Sequence, residues 1–449
     1  MHPEVVETLD AWAELNDLTS ALHQALVAAG VDAEPLELAS EMTIVIPEDQ
    51  REAAFRALHR DARARNWHIT RGIHGWQPLS MADPAAFNRK ACPIFRILAA
   101  PNGTILLGPE MPVILRFIPP QGQGADQLPI RPPHERHLLR LTDQVDVVYT
   151  WVDDSDPAWL NERARVRPDA KLATDALSPS RTTDRGELRY SLRSLAMYAN
   201  WVRHIWIVTS GQVPTWLDIA HPRVTVVPHD EIFSDTSALP TFNSHAIESQ
   251  LHHINGLAEH FLYLNDDVFF GRPAEPQDFF HGNGIAKFMI SNVAIDREPD
   301  KNPRNGAMLA ARNNRTLIED LWKRTTTHRM QHVPHAHRRS SLQDLEHRRP
   351  DVFDQVAKQR FRSPTDISVA SELGHYHAYA LGLATPGSLS FRYIDIASPF
   401  AAEYFAELRD GRPFKAFCVN DVSMDRVPND QVTKFLEEYF PLPSPFELP

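Results

Sequence analysis

The chain has 449 residues, of which 43% are hydrophobic and 23% charged, and a formal net charge of −12. That is ordinary globular composition, long enough for two or three domains and against wholesale disorder; the negative balance also disfavours a nucleic-acid partner, whose binding rests on clustered cations, while allowing a local pocket for one diphosphate. Two distant cysteines, Cys92 and Cys418, exclude a disulfide framework and a four-thiolate metal site, and they fit a reducing compartment.

The opening MHPEVVETLDAWAEL is acidic and amphipathic, unlike the basic-then-apolar order of a signal peptide. Val5, Leu9, Trp12, Leu15, Leu22 and Leu26 recur at helical spacing. Met42–Ile46 reads as a strand, Asp49–Arg65 as a charged helix, and Trp67–Thr70 and Val113–Ile118 as further strands. The longest apolar runs, such as Ile105–Leu107 and Val113–Ile118, fall far short of a membrane span, so no transmembrane segment and a cytoplasmic protein are expected. Residues 1–118 thus read as a small α/β module of unassigned role, and 119–138 as a linker. Within the linker, PPQGQGADQLPIRPP fixes turns and extended backbone and buries nothing.

Residues 139–449 change to strand–helix alternation. Strands are expected at Val145–Val152, His204–Thr209, Arg223–Val227 and His260–Leu264, with helices near Gly186–Tyr198 and His245–Leu257. This order predicts an α/β fold with a mostly parallel sheet, helices on both faces, and a ligand at the carboxyl ends of the strands. Helices follow at Arg315–Thr325, Ser340–Arg360, Thr365–Leu381 and Gln431–Tyr439, and strands at Ser388–Ile396 and Lys415–Val419.

Four constellations could carry chemistry. In DVVYTWVDDSDP, Asp146–Pro157, a strand delivers Thr150, Trp151 and Asp153 to the sheet edge, where an aromatic ring and an acid could hold a base and a ribose; a core strand with a polar turn is the plainer alternative. In RTTDRGELRYSLRS, Arg181–Ser194, the residues Arg185, Arg189 and Arg193 line one helix face, either as a solvated surface beside Glu187 or as a diphosphate grip suited to the guanidinium fork. Asn265-Asp266-Asp267 leaves a hydrophobic strand with two adjacent carboxylates, hard oxygen ligands for Mg²⁺ or Mn²⁺ on a nucleotide diphosphate; an Asx turn is the competing reading. Finally, His332, His335 and His337 flank Pro334 on a turn or extended segment, which rules against a helical HExxH zinc site. Histidine there suits proton transfer, unless the cluster is merely a surface one.

Together these segments resemble the Stealth family of hexose-1-phosphate transferases, which includes bacterial capsular and exopolysaccharide phosphotransferases and the catalytic subunit of animal N-acetylglucosamine-1-phosphotransferase. The blocks are DVVYTWVDDSDP; Glu187–Leu217 with LPTFNSHAIESQLHHINGL and FLYLNDDVFFG; HVPHAHRRSSLQDL with RFRSPTDIS; and KAFCVND. The likeness covers roughly residues 140–425. The first block has Asp154 where family members commonly have glycine.

The resemblance implies a nucleotide-sugar-transferase-like sheet with a helical cap, the site lying between the two. It places catalytic residues at Glu248, Asp267, His332 and Arg362, and a further polar pair at Asn420 and Asp421. The implied reaction is attack by a glycan hydroxyl on the sugar-proximal phosphorus of a UDP-sugar, releasing UMP, in exopolysaccharide or capsule synthesis. Asp267, with Asp266 or Asp421, would hold Mg²⁺ or Mn²⁺, and Arg362 would stabilise charge on the phosphate. His332 would be the general base, with Glu248 orienting it or holding the sugar; Thr150, Trp151, Asp153, Arg189, Asn265 and Asn420 would bind substrate. A peripheral position at the cytoplasmic membrane face and a homodimer are both compatible with this. Two rivals remain at this level: a metal-dependent glycosyltransferase of similar fold releasing UDP, and a catalytically dead glycan-binding scaffold.

Overall fold

In the computed structural model, which describes residues 3–38, 41–70, 76–119, 138–166, 172–173, 176–178, 182–296, 306–422 and 430–449, the first helix begins at Ala11 and not near Val5. The Asp10 carboxylate accepts the Trp12 and Ala13 amides at 3.0 and 3.2 Å, which fixes the start of the helix Ala11–Ala28. Val5 lies instead in a short strand, Glu4–Val5, beside Leu98–Ala99. The charged helix expected to Arg65 is Arg51–Arg60; Asp61 turns extended and caps a 3₁₀ turn, Ala62–Arg65. Both helices pack on the strand Glu41–Pro47. That strand belongs to a six-stranded sheet ordered Glu34–Leu38, Glu41–Pro47, Val113–Ile118, Ala91–Phe95, His68–Thr70, Trp76–Pro78. These elements fall in the first of two compact units, residues 1–140 with 196–198 and 441–443; all other residues form the second. The linker expected at 119–138 lies, except for its two end residues, outside the described residues.

The second unit is built on five strands ordered Val224–Pro228, Ile205–Thr209, Val145–Thr150, His260–Asn265 and His335–Arg338. The first four are parallel and the last antiparallel. Val145–Thr150 comes first in the chain yet sits in the middle, so the strand order reverses beside it, where open α/β sheets form their ligand crevice. Along this strand successive side chains take opposite faces. Val148 packs in the cluster with Phe261, Leu317, Leu342, Phe353 and Leu373 under the later helices, while the Tyr149 hydroxyl meets Ser191 of the helix Glu187–Tyr198 at 2.9 Å. A second sheet, Val268–Phe270, Ala416–Asn420 and Phe391–Asp395, takes its first strand just after the strand His260–Asn265 ends.

Several helices depart from the periodic reading. The helix expected at Arg315–Thr325 runs over Gly306–Trp322. Ser340–Arg360 is two helices, Arg339–Arg348 and Pro350–Ala357, because Pro350 lacks the amide to continue the first. His245–Leu257 is only one α turn, Ser244–Glu248, and a 3₁₀ turn, Leu251–His253. The Ser249 hydroxyl donates back to the Ala246 carbonyl at 2.7 Å, a local bond that competes with helix continuation. Thr365–Leu381 opens as a π turn, Val369–Leu373, and then becomes the α-helix Gly374–Ala380. Among the described residues no helix is long and apolar enough to cross a membrane.

One buried carboxylate ties the central strands together. Asp146, 0% exposed, accepts Arg203 Nε at 2.7 Å, Trp206 Nε1 at 2.9 Å and the Ala258 amide at 2.8 Å. These donors come from the neighbouring strand, its approach and the loop entering His260–Asn265. Asp146→Ala would leave these half-buried donors without their shared acceptor and should cost about 1–3 kcal/mol of stability, read as a lower urea midpoint with an unchanged slope. A loss below about 0.5 kcal/mol would show that the knot is not structural.

Candidate active site

The carboxyl ends of the central strands open into a cleft of about 1040 Å³ lined from the sheet, the later helices and the second sheet. Its centre is the turn Asn265-Asp266-Asp267, which joins the strand His260–Asn265 to Val268–Phe270. A hydrogen-bonded chain crosses this floor. Tyr263 donates its hydroxyl to Asn265 Oδ1 at 2.8 Å, so Thr150 Oγ1, 3.2 Å away, donates to the tyrosine oxygen. Asn265 Nδ2 lies 3.2 Å from His332 Nε2, which in turn lies 3.4 Å from Asp267 Oδ1.

Asp267 is held from the second sheet. Asn420 Nδ2 donates to its Oδ2 at 2.8 Å and Cys418 Sγ at 3.3 Å. Burial works against ionisation, but His332 and these two donors more than offset it, and the carboxyl sits below the ordinary carboxylate range. Its other oxygen, Oδ1, is buried with no hydrogen-bond donor, an acceptor that a cation would satisfy. Asp267, His332 and Cys418 together place three possible ligand atoms within 4.8 Å of one another. Asp266 behaves oppositely: burial, with Glu187, Asp267 and Asp184 nearby, pushes its carboxyl well above the ordinary value. Burial likewise raises Glu187 to about 7. Into this acid cluster runs Arg185, paired with both Glu187 and Asp421.

The opposite wall carries Glu248 and Arg362. The turn Ser244–Glu248 starts at Asn243, whose Oδ1 accepts the His245 amide at 3.1 Å. Glu248 Oε2 accepts both the amide and the hydroxyl of Ser371, at 2.9 and 2.8 Å, within the π turn. Such turns break the regular amide ladder, and here the break aims a backbone N–H at a side chain. Arg362 Nη2 donates to Ser244 Oγ at 2.7 Å, so the guanidinium and the glutamate meet on one short helix. Asp366 braces the corner, its Oδ2 accepting from Asn243 Nδ2 at 2.9 Å and from the Ser363 amide at 3.0 Å.

The structure therefore brings Glu248, Asp267, His332 and Arg362 to one cleft, with Thr150, Trp151 and Asn265 on its floor. Asp266, Asn420 and Asp421 also line it. Two expected substrate ligands do not. The Asp153 carboxylate accepts the Ser155 amide at 2.8 Å, serving the turn. Arg189 pairs with Glu447 at 2.5 Å, as Arg193 does at 2.7 Å. The three arginines do not share one helix face, since Arg185 precedes the Gly186 cap outside the helix, and of the three it alone reaches the cleft. As for the metal set, Asp421 is engaged by Arg185 and Asp266 is pushed towards its neutral form, so the clustered donors centre on Asp267 instead. Sequence reasoning misses Cys418 as a site residue, although it shares a strand face with Asn420 at a spacing of two. It misses Glu372 as well, because only the π turn brings that side chain to the cleft.

Four conserved regions of Stealth proteins match this chain: region 1 over residues 143–170, region 2 over 181–288, region 3 over 331–379 and region 4 over 406–449. An exopolysaccharide phosphotransferase of Streptomyces coelicolor is 48% identical over 308 residues, 68% of this chain and 52% of that protein. The exopolysaccharide phosphotransferase CpsY of Mycobacterium tuberculosis is 40% identical over 316 residues, 69% of this chain and 59% of its own length. The chain thus spans about half the length of the curated relatives it matches. Among solved structures, the galactosyltransferase LgtC aligns at 9% identity with a TM-score of 0.33, covering 65% of this chain and 95% of that one, a likeness too slight to bear on the site.

Glu372 gives the cleft a testable pH signature. Burial raises its carboxyl to about 7, although Arg329 Nε stands 3.6 Å away. At about pH 4 the group is protonated in both folded and unfolded chains; as pH rises past the ordinary value of 4.5 only the unfolded chain ionises, so stability falls until the folded carboxyl ionises near 7. Glu372→Gln removes this dependence. Between about pH 4 and about pH 8 the variant should gain about 1–3 kcal/mol relative to wild type in denaturant melts. Parallel pH profiles would refute the raised value.

Proposed function

The chain belongs to the Stealth family, and from that premise we propose that it transfers a hexose-1-phosphate from a UDP-sugar to a glycan hydroxyl in exopolysaccharide or capsule synthesis. An N-acetylhexosamine-1-phosphate is the favoured unit, and the cytoplasm the favoured location. The observation that carries the reading is the convergence of Glu248, Asp267, His332 and Arg362, from four separate segments, on one cleft beside the reversal of strand order. Among the described residues, those that line the cleft lie within 139–449, the division to which we assign the reaction.

The acceptor oxygen attacks the sugar-proximal phosphorus, the bond from that phosphorus to the bridging oxygen breaks, and UMP departs carrying the bridging oxygen. Phosphoryl chemistry of this kind needs alignment and charge stabilisation more than covalent catalysis. His332, tethered by Asn265 and facing Asp267, takes the hydroxyl proton. Arg362, fixed by Ser244, faces the phosphoryl oxygens. Glu248, locked by Ser371, orients the sugar hydroxyls.

The donor set fits a hard divalent ion through Asp267, whose Oδ1 accepts no hydrogen bond and faces only the His332 ring at 3.4 Å. Cys418 does not compete, since burial and the nearby carboxylate push its thiol well above the ordinary range and keep it a donor. Mg²⁺ or Mn²⁺ bound by Asp267 and the diphosphate would supply charge neutralisation there. Chelation should abolish transfer and Mg²⁺ or Mn²⁺ restore it, while Asp267→Asn should stay folded, lose most activity and resist rescue. Full activity after thorough metal stripping would sink this assignment.

The product decides the reaction class. Incubation with UDP-sugars and glycan acceptors should release UMP and give a phosphodiester whose ³¹P resonance couples to the anomeric proton. A phosphate-free glycosidic product with UDP would mark a glycosyltransferase instead. Arg362→Lys should lower kcat/KM by about 10²-fold or more, because a point charge cannot reproduce the planar two-pronged contact.

A further inference from the structure

Away from the cleft, two imidazoles and a carboxylate meet. Glu346 Oε2 lies 2.7 Å from His252 Nε2 and 2.8 Å from His253 Nε2, and the three atoms fall within 4.8 Å of one another. None of these residues lines the cleft. His253 Nδ1 lies 2.9 Å from the Ile232 carbonyl, which only accepts, so Nδ1 carries the proton. In a neutral ring Nε2 is then a lone pair, and it faces a carboxylate oxygen that also only accepts. Two acceptors at that distance need a cation between them, either a second proton or a metal ion.

An imidazole anchored through Nδ1–H to a backbone carbonyl, presenting Nε2, is the orientation that metal sites use. His252 offers a second Nε2 to the same point; its ring is fully buried, edge-on to Phe353 at 5.9 Å. The side chains of His253 and Glu346 keep 22% and 28% exposure, leaving an entry path and room for a fourth, water ligand. Arg339, which donates to the His252 carbonyl at 2.8 Å, sets one positive charge nearby that opposes either cation. A dication gains three ligand atoms at once, whereas a proton satisfies one contact. We propose that His252, His253 and Glu346 bind a divalent transition-metal ion of the zinc class, the choice that two nitrogens and one carboxylate favour over Mg²⁺. The ion would pin the segment just after Glu248 to the helix Arg339–Arg348, which continues directly from the strand His335–Arg338.

The test uses chelator-stripped protein dialysed against Zn²⁺ or Co²⁺. Wild type and Asp267→Asn should each retain one ion per chain by elemental analysis, and Co²⁺ should give a tetrahedral visible spectrum without a thiolate charge-transfer band. Affinity should fall at least about tenfold in His253→Gln and in Glu346→Gln, and added Zn²⁺ should raise the melting midpoint of wild type but not of Glu346→Gln. A crystal soaked in Zn²⁺ provides a check that needs no variant: the anomalous difference peak should lie between the three side chains. The proposal is overturned by no retention in wild type, by a cobalt–thiolate band that vanishes in Asp267→Asn, or by anomalous density only elsewhere. Because every readout is binding, its failure leaves the transferase assignment standing, and inactivity of the enzyme leaves this site standing.

Discussion

A carboxylate placed where two sheets meet cannot be left to water, and the arrangement around Asp267 is a response to that. Its backbone carbonyl accepts the Val419 amide at 3.0 Å, while its side chain is gripped by Asn420 and Cys418 of the same strand. The residue is therefore at once the seam between the sheets and the ionised group at the cleft's centre. Around it the other acids must give way: Asp266 and Glu187 are driven up towards neutrality, and Asp421 is neutralised by Arg185. Asp267 stays charged because His332, Asn420 and Cys418 face it and outweigh its burial.

The same residue type does different jobs within one sequence block. In DVVYTWVDDSDP, Asp146 is a buried structural acceptor and Asp153 closes a turn. Neither touches the cleft, although the block is the one that delivers Thr150 and Trp151 to it. The role of Asp146 is set by partners 50 or more positions away, Trp206 and Ala258 among them. A local pattern carries no trace of them.

The same distinction explains which expectations the structure bears out. Strands with strong alternation or unbroken apolar character are legible, as Val113–Ile118 and the four parallel strands of the second unit show. Period and burial decide those, and both are written locally. The meeting of Glu248 with Arg362 and of Asp267 with His332 is legible only through family resemblance, since the residues lie far apart in the chain. Arg189 is misread from spacing because spacing fixes a helix face but not the group that covers it; Glu447 does. The short helix at Ser244–Glu248 and the π turn at Val369–Leu373 are not legible either, since each is accompanied by side-chain hydrogen bonds, from Ser249 to Ala246 and between Ser371 and Glu248, that no hydrophobic period records.

The π turn has a bearing on how this fold tolerates insertion and deletion. It carries one residue more than a regular turn, and each residue in a helix rotates the rest of the helix by about 100°. Immediately after it, Gly374 packs so closely that a β-carbon would meet Leu342 Cδ2 at 2.6 Å, so this side of the helix has no room to turn. Removing one residue from Val369–Leu373 would either swing a bulky neighbour into Leu342 or withdraw Ser371 from Glu248. Length in this segment is thus under tighter geometric constraint than residue identity, and divergence among proteins that keep the Ser371–Glu248 contact should proceed here by substitution, with gaps confined to the flanking loops.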